Sequence, residues 1–592
     1  MTFRMSDTGA PSPVQTASPP FVPPADCLGL GTGLIPYQQG SRTCVTRLSA
    51  CRKRNAPSGK SMTNENDYLP EPGPTALAPL NNAAFRSIWM AMQIADMGWV
   101  VQTLAVSWLL TSSSSPRIVA LVLASTTLPA FFVSIIAGAI ADNFSRRLLM
   151  LAGLSVVAIA SILTALSAAF DFTNPWLFLG LNFLAGCGFA LYEPGWHASV
   201  GDIFHKREIQ AAVTLISVGY NTSRSVAPAL AGAILAFLCP LSALGFAAVT
   251  TLAPIGAVWR NSWPARSSIL PPERIATSIQ NGLRFTALTP DLRAAIIRAT
   301  LFGLASSSIL SLLPVIAQDR AAGDPMVVGI LSAGFGTGAC LAGTSSRYLR
   351  IMLPQELLMT LAAGACAVCC LALALTSSMI LGTIALALGG AGWLITWSGF
   401  DGWVQRASPR WVFGRSYSIY YALLSGGIAV GSWIWGTVAE GLSLNSALIW
   451  AAAGLFLLAA AGYLMPAHVV VERDQRYSEF RPPELALNLD PRTGPIISKT
   501  EYFIEEADLE IFLHYMRIRR HSMSRAGARG WSLQRDLRKP SKWTETFRTP
   551  TWTDYLRLNG RLSLADQDVG QLLVALHVGT PPQLELAIER PI

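Results

Sequence analysis

In this 592-residue chain, the residues whose types could do chemistry are ionisable or strongly polar groups set inside long apolar runs: Asp96, Glu193, Asn221 and Arg224. On insertion scales a charged side chain at the centre of a lipid-embedded helix costs roughly 2.5–3.5 kcal/mol, so each must face a partner, a cavity or a passing solute. Arg224 lies about fifteen residues into its run, with Asn221 and Ser225 within one turn. Together they form a polar stripe suited to holding a substrate or a counter-carboxylate. Asp96, midway through the first run, can gain or lose a proton as its surroundings change, which is the chemistry of a proton carrier. Glu193 competes for that role, although its place near the end of a run, before Pro194, equally fits capping or hydrating a helix end. Asp401, at the end of a later run, has Arg406 within reach as a partner.

Other suggestive patterns read as packing. Cys366 and Cys369 have CxxC spacing, but they stand in LAAGACAVCCLALAL, without the polar neighbours or second ligand pair of a zinc or redox site. Gly334, Gly336, Gly338 and Gly343 echo a nucleotide loop without its lysine, and inside an apolar span they serve close helix contact. Trp393, Trp397, Trp403, Trp433 and Trp435 could wall an aromatic cavity, although interfacial anchoring and packing account for most of them. No cofactor and no metal is expected.

The elements that must position these residues are membrane spans. Half the chain, 51%, is hydrophobic and only 13% is charged, too little for an ordinary soluble protein. The net charge of +9 lies in short basic clusters between apolar runs, which fits membrane topology better than a nucleic-acid partner. Between Phe85 and Met465 twelve runs are long enough to cross a ~30 Å hydrocarbon layer, the first at 86–110, the fifth at 209–237 and the last at 444–465. The even-numbered connections carry fourteen Lys and Arg residues and the odd-numbered ones only Arg117 and Arg320. The positive-inside rule then puts both termini in the cytoplasm.

The expected division is a disordered extension (1–80), a six-helix bundle (81–260), a cytoplasmic central loop (261–293), a second six-helix bundle (294–466), a linker (467–494) and a cytoplasmic domain (495–592). Residues 1–80 do not read as a secretory signal, and Met62 is a candidate translation start. The last segment reads strand (PIISKTEYFI), helix (Ala507 to about Ser522), strand (GWSLQRDL), strand (KWTETFRT), helix from Thr551, a further helical stretch, and strand (LELAIER). That order predicts a ferredoxin-like sheet with helices on one face. The fold class expected is therefore an all-α membrane protein of twelve transmembrane helices in two bundles, plus a C-terminal α+β domain.

The loop GAIADNFSRRLLM resembles the loop signature of the major facilitator superfamily at Gly138, Asp142, Arg146 and Arg147, with Ser145 replacing the usual glycine. The resemblance implies a cytoplasmic charge latch between the two halves. Three stretches resemble the transmembrane secretion effector branch, which includes the enterobactin exporter. They match at Gly98, Trp99, Trp108 and Pro129; at Pro194, Trp196, Ala211, Asn221, Arg224, Pro228 and Gly232; and at Gln405, Pro409, Trp411, Gly414, Arg415, Gly431, Ser432, Trp435 and Gly436. The resemblance implies a secondary-active exporter of siderophores, drugs or other amphipathic compounds in a bacterial inner membrane, coupled to protons. A second reading is a membrane-anchored enzyme or sensor, because the tail resembles the dimeric α+β barrel of monooxygenase-like domains. His514, His521, Trp531 and Trp543 are its conceivable chemical residues, and such a sheet could pair two copies of the chain.

Overall fold

The computed structural model describes residues 77–589, apart from 142–144, 205–207, 264–274, 322–324, 410, 465–479, 481 and 484. Met62, nearly all of the expected extension and much of the expected linker lie outside the described residues. The first half of the membrane part comprises α1 (Ala83–Thr111), α2 (Pro116–Ala141), α3 (Arg146–Ala169), α4 (Pro175–Ile203), α5 (Ile209–Phe237), α6 (Pro240–Thr250) and α7 (Leu252–Arg260). After α8 (Ile275–Leu288), the second half comprises α9 (Pro290–Ser311), α10 (Leu313–Ala321), α11 (Pro325–Met352), α12 (Gln355–Leu375), α13 (Met379–Ala407), α14 (Phe413–Gly441) and α15 (Leu444–Leu464).

Local sequence sets where these helices start. Asn82 caps α1 by accepting from the Phe85 amide at 3.1 Å. Asn174 caps α4 by accepting from the Trp176 amide at 2.9 Å, with Pro175 in the first turn, where its missing N–H costs nothing. Along the spans, large apolar side chains such as Ile159, Leu166, Leu381 and Ile384 face outward, as a lipid solvent requires.

Among the described residues, eleven helical stretches are long and apolar enough to cross a membrane, with α6 and α7 forming one and α9 and α10 another. The expected fifth crossing, α5, has 29 residues but is not one of the eleven. Its middle carries Tyr220, Asn221, Thr222, Ser223, Arg224 and Ser225 in succession.

Within the first half α3 packs on α4 and α1 on α5; within the second α11 packs on α13 and α12 on α15. The halves meet where α2 lies along α14 and α5 along α11. The second seam depends on Gly232 and Gly329, because a methyl on either would drive into the other's carbonyl oxygen. Where α2 begins and α14 ends, Ser115 Oγ donates to Glu440 Oε2 at 3.1 Å and Arg117 pairs with Glu440 at 3.5 Å.

The glycines at 334 and 338 press against Thr383 and Ala387 of α13, while Gly336 faces Ser225 and Ala229 of α5. Cys366, Cys369 and Cys370 are buried free thiols of α12. These contacts match the packing roles expected for the glycine run and the CxxC pair.

The segment read as a plain loop contains α8, which packs on α2, α9 and α14. Its Phe285 is buried against Trp411 while Gln280 and Arg284 occupy its polar side. Basic residues flanking a short amphipathic helix give the same signature as a positively charged connection, so the helix was hidden.

The C-terminal part holds β1 (Ile496–Phe503), α16 (Leu509–Ala526), β2 (Arg529–Arg535), β3 (Lys542–Thr549), α17 (Trp552–Gly560), α18 (Leu564–Ala575) and β4 (Leu584–Ile588). Four antiparallel strands run in the order β2-β3-β1-β4. Alternation along β1 and β3 turns Ile496, Ser498, Tyr502, Glu545 and Phe547 inward under the helices. The other face carries an ion-pair ladder in which Lys499 reaches Glu501 at 2.7 Å and Glu585 at 3.3 Å, and Lys542 reaches Glu501 at 2.8 Å.

Candidate functional site

On α4, Phe189, Tyr192, Glu193 and His197 fall on one stripe at spacings of three and four. On α14, Phe413, Tyr417, Tyr420 and Tyr421 do the same. These stripes approach each other across the halves, with the His197 and Tyr417 ring centroids 6.5 Å apart. Tyr192 is 5% exposed and lies within electrostatic reach of Asp96, Glu193 and Tyr421. Trp99 of α1 packs on Phe189 at 5.3 Å, and Tyr417 lies 5.5 Å from Tyr420 and 6.5 Å from Tyr421. Tyr420 donates to Asp401 Oδ1 at 2.9 Å. Asp96 and Glu193 thus lie within electrostatic reach of an aromatic cluster drawn from both halves.

The two carboxylates named from sequence both lie within electrostatic reach of Tyr192. Asn221 is held on α5 through its Nδ2, which donates to the Ser217 carbonyl at 2.8 Å, while its buried Oδ1 has no described partner. Arg224 occupies the next turn of α5, but its side chain lies outside the described residues. α5 is tied to α1 where Ser223 Oγ donates to Gln93 Oε1 at 2.9 Å, and deeper in the half Gln102 Nε2 donates to Asn182 Oδ1 at 3.1 Å. Hydrogen bonds of this kind fasten membrane helices at about 0.6 kcal/mol each.

Asp142 lies outside the described residues, and Gly138 belongs to α2 with its surroundings undescribed. Arg146 pairs with Asp202 of α4 at 2.7 Å and donates to the Ala198 carbonyl at 2.8 Å. Arg147 donates to the Val258 and Trp259 carbonyls of α7 at 3.2 and 2.7 Å. The described partners of both arginines therefore belong to the first half, where the sequence reading expected a latch between halves.

Sequence reasoning passed over His197 and the α14 tyrosines, because histidine and tyrosine in apolar runs resemble ordinary core residues; their spacing was the available signal. It also missed Arg298, buried in α9, which donates to Glu356 Oε2 of α12 at 2.9 Å and lies 5.1 Å from the Trp403 ring centroid. A cation two turns into one span and a carboxylate in the first turn of another was the clue. In the tail, Glu545 is 1% exposed and accepts from Arg519 Nε at 2.8 and 2.9 Å, Trp531 Nε1 at 2.8 Å and the Tyr502 hydroxyl at 3.3 Å. Burial first, with the neighbouring Glu545 carboxylate, pushes the Tyr502 hydroxyl well above its usual range, so it stays a donor. His514 and His521 are exposed on α16, whereas Trp531 and Trp543 pack beneath it.

Two bundled halves of long apolar helices make this a multi-pass membrane protein, and solved transporters share its fold. A POT family transporter in complex with a thioalcohol-conjugated peptide superposes with TM-score 0.50 at 12% identity, covering 64% of this chain and 95% of its own. A POT family transporter in complex with 5-aminolevulinic acid gives the same values. No curated protein matches. The profile of the transmembrane secretion effector family, a branch of the MFS transporters, matches residues 74–592, and the chain belongs to that family.

Proposed function

We propose that the protein is a secondary-active exporter of small amphipathic molecules, siderophores or antibiotics among them, driven by protons and working by alternating access. The observation that carries this reading is the meeting of the α4 and α14 aromatic stripes across the halves, His197 lying 6.5 Å from Tyr417 ring to ring, with Asp96 and Glu193 in electrostatic reach of Tyr192 on the same stripe. A carboxylate where two moving bodies meet can take a proton in one arrangement and release it in the other. Aromatic walls with few polar groups suit amphipathic organic solutes. Arg224 and Asn221 on α5 supply the substrate or counter-carboxylate contact, and Gly138, Asp142, Arg146 and Arg147 form the gating loop.

In this reading α5 is the fifth of twelve crossings, both termini are cytoplasmic, and the membrane is a bacterial inner membrane. The two six-helix bundles are 81–260 and 294–466, joined by 261–293 and followed by a linker and the domain 495–592. The strand order β2-β3-β1-β4 with helices over one face supports a ferredoxin-like tail with a regulatory or pairing role.

The test is flux into proteoliposomes under an imposed proton gradient, screened across siderophores and antibiotics. We expect gradient-dependent movement that Asp96→Asn uncouples and that Arg224→Ala abolishes at normal membrane expression. Movement indifferent to the gradient would remove proton coupling, and no movement of any solute would remove export.

A further inference from the structure

The C-terminal domain rests on the membrane part along α8 and Trp411. α16 packs against α8, and Arg529 Nη2 donates to Gln280 Oε1 at 3.4 Å. The Arg525 guanidinium lies 5.9 Å from the Phe285 ring centroid, and that of Arg561 only 4.2 Å from the Trp411 ring centroid. Phe285 and Trp411 are themselves edge to face at 5.4 Å, so one aromatic pair joins α8 to the segment leading into α14 while two tail arginines cover it. Burial and the approach of Arg529 lower the pKa of Arg284 on the same helix, in keeping with a real interface there.

The seat of this contact matters because α8 bridges the halves, packing on α2 of the first and on α9 and α14 of the second. At Gly282 a methyl group would come within 2.9 Å of Arg415 Cβ, so α8 lies directly on the first turn of α14. Two residues further along α14 comes Tyr417, which faces His197 across the halves. The domain therefore bears on the helix that supplies one wall of the candidate site.

We propose that the C-terminal domain is a releasable clamp: seated on α8 and Trp411, it restrains the start of α14 against α2 and slows the exchange between arrangements of the two halves. The regulatory part rests on the transport reading above; the mechanical part does not. Arginine-on-ring contacts and a single long hydrogen bond make an attachment that can open without unfolding either side.

The test is hydrogen exchange on the full-length protein in lipid nanodiscs, following peptides from 275–288, 411–421 and the tail strands, with initial transport rates measured on the same variants. Arg561→Ala should raise exchange at 411–421 by about threefold or more through freer local opening, while Arg561→Lys, which keeps a cation, stays near wild type. Arg561 also donates to the Ala526 carbonyl at 3.3 Å inside the tail, so Trp411→Leu repeats the measurement from the membrane side with the tail untouched. Both substitutions should quicken transport. Unchanged exchange at 411–421 in Trp411→Leu overturns the clamp, and raised exchange with unchanged or slower transport overturns its control of the cycle. Raised exchange in a protein that moves no solute even as wild type supports the mechanical contact and tells instead against the transport reading.

Discussion

Glu545 shows how a single residue organises the tail. Its carboxylate is enclosed by Arg519, Trp531 and Tyr502, and removing one partner of such a cluster leaves a buried charge uncompensated. We expect Glu545→Ala to destabilise the domain by about 3–5 kcal/mol, read from urea unfolding of the tail followed through Trp531 fluorescence. A loss no larger than that of a surface substitution would refute the argument. Glu501 acts more gently on the uncovered sheet face, where hydrogen bonds from Lys499 and Lys542 hold its carboxyl below the usual range. A depressed carboxyl contributes stability that is complete above its unfolded value and disappears as pH falls through the folded one. Glu501→Gln should therefore flatten the acid side of the tail's stability profile and leave neutral pH nearly unchanged in slope, as urea midpoints from pH 7 downward would show. At this scale the sequence exposed isolated charges in oil, Asp96 and Glu193 among them, because a charge in an apolar run stands out. It did not expose His197, Tyr417 or Glu545, whose importance lies in what they touch across elements far apart in sequence.

Helices report their existence through length and periodicity but report their contacts poorly. The order of strands and helices in the tail could be read from residues 495–592 almost element by element, since alternation of side chains and caps such as Thr551 and Ser563 are local signals. α8 could not, because fourteen amphipathic residues set among basic ones in a connection look like topology rather than structure. The seam between α5 and α11 is likewise a matter of facing glycines that no single run reveals. Gly329→Leu should force these helices apart or block their sliding, at a cost of about 1–3 kcal/mol in thermal stability and with most transport lost. A variant as stable and as active as wild type would show the close approach to be dispensable.

At the scale of the molecule, a multi-pass helical membrane part was legible because long apolar runs alternate with short polar connections. The number of crossings was less secure. Eleven stretches satisfy length and apolarity among the described residues, and α5, though 29 residues long, is not one of them. Pairing of two chains through the uncovered sheet face would place the Lys499, Glu501 and Lys542 ladder between copies, so any dimer built there should come apart in molar salt, as light scattering in detergent can test. The polarity of α5 carries a consequence for how the protein is made. The hydroxyl-to-amide link from Ser223 to Gln93 joins its polar middle to a helix synthesised more than a hundred residues earlier. That contact closes only after three further helices have followed α1 out of the ribosome, so the opening helix waits nearby for a latecomer.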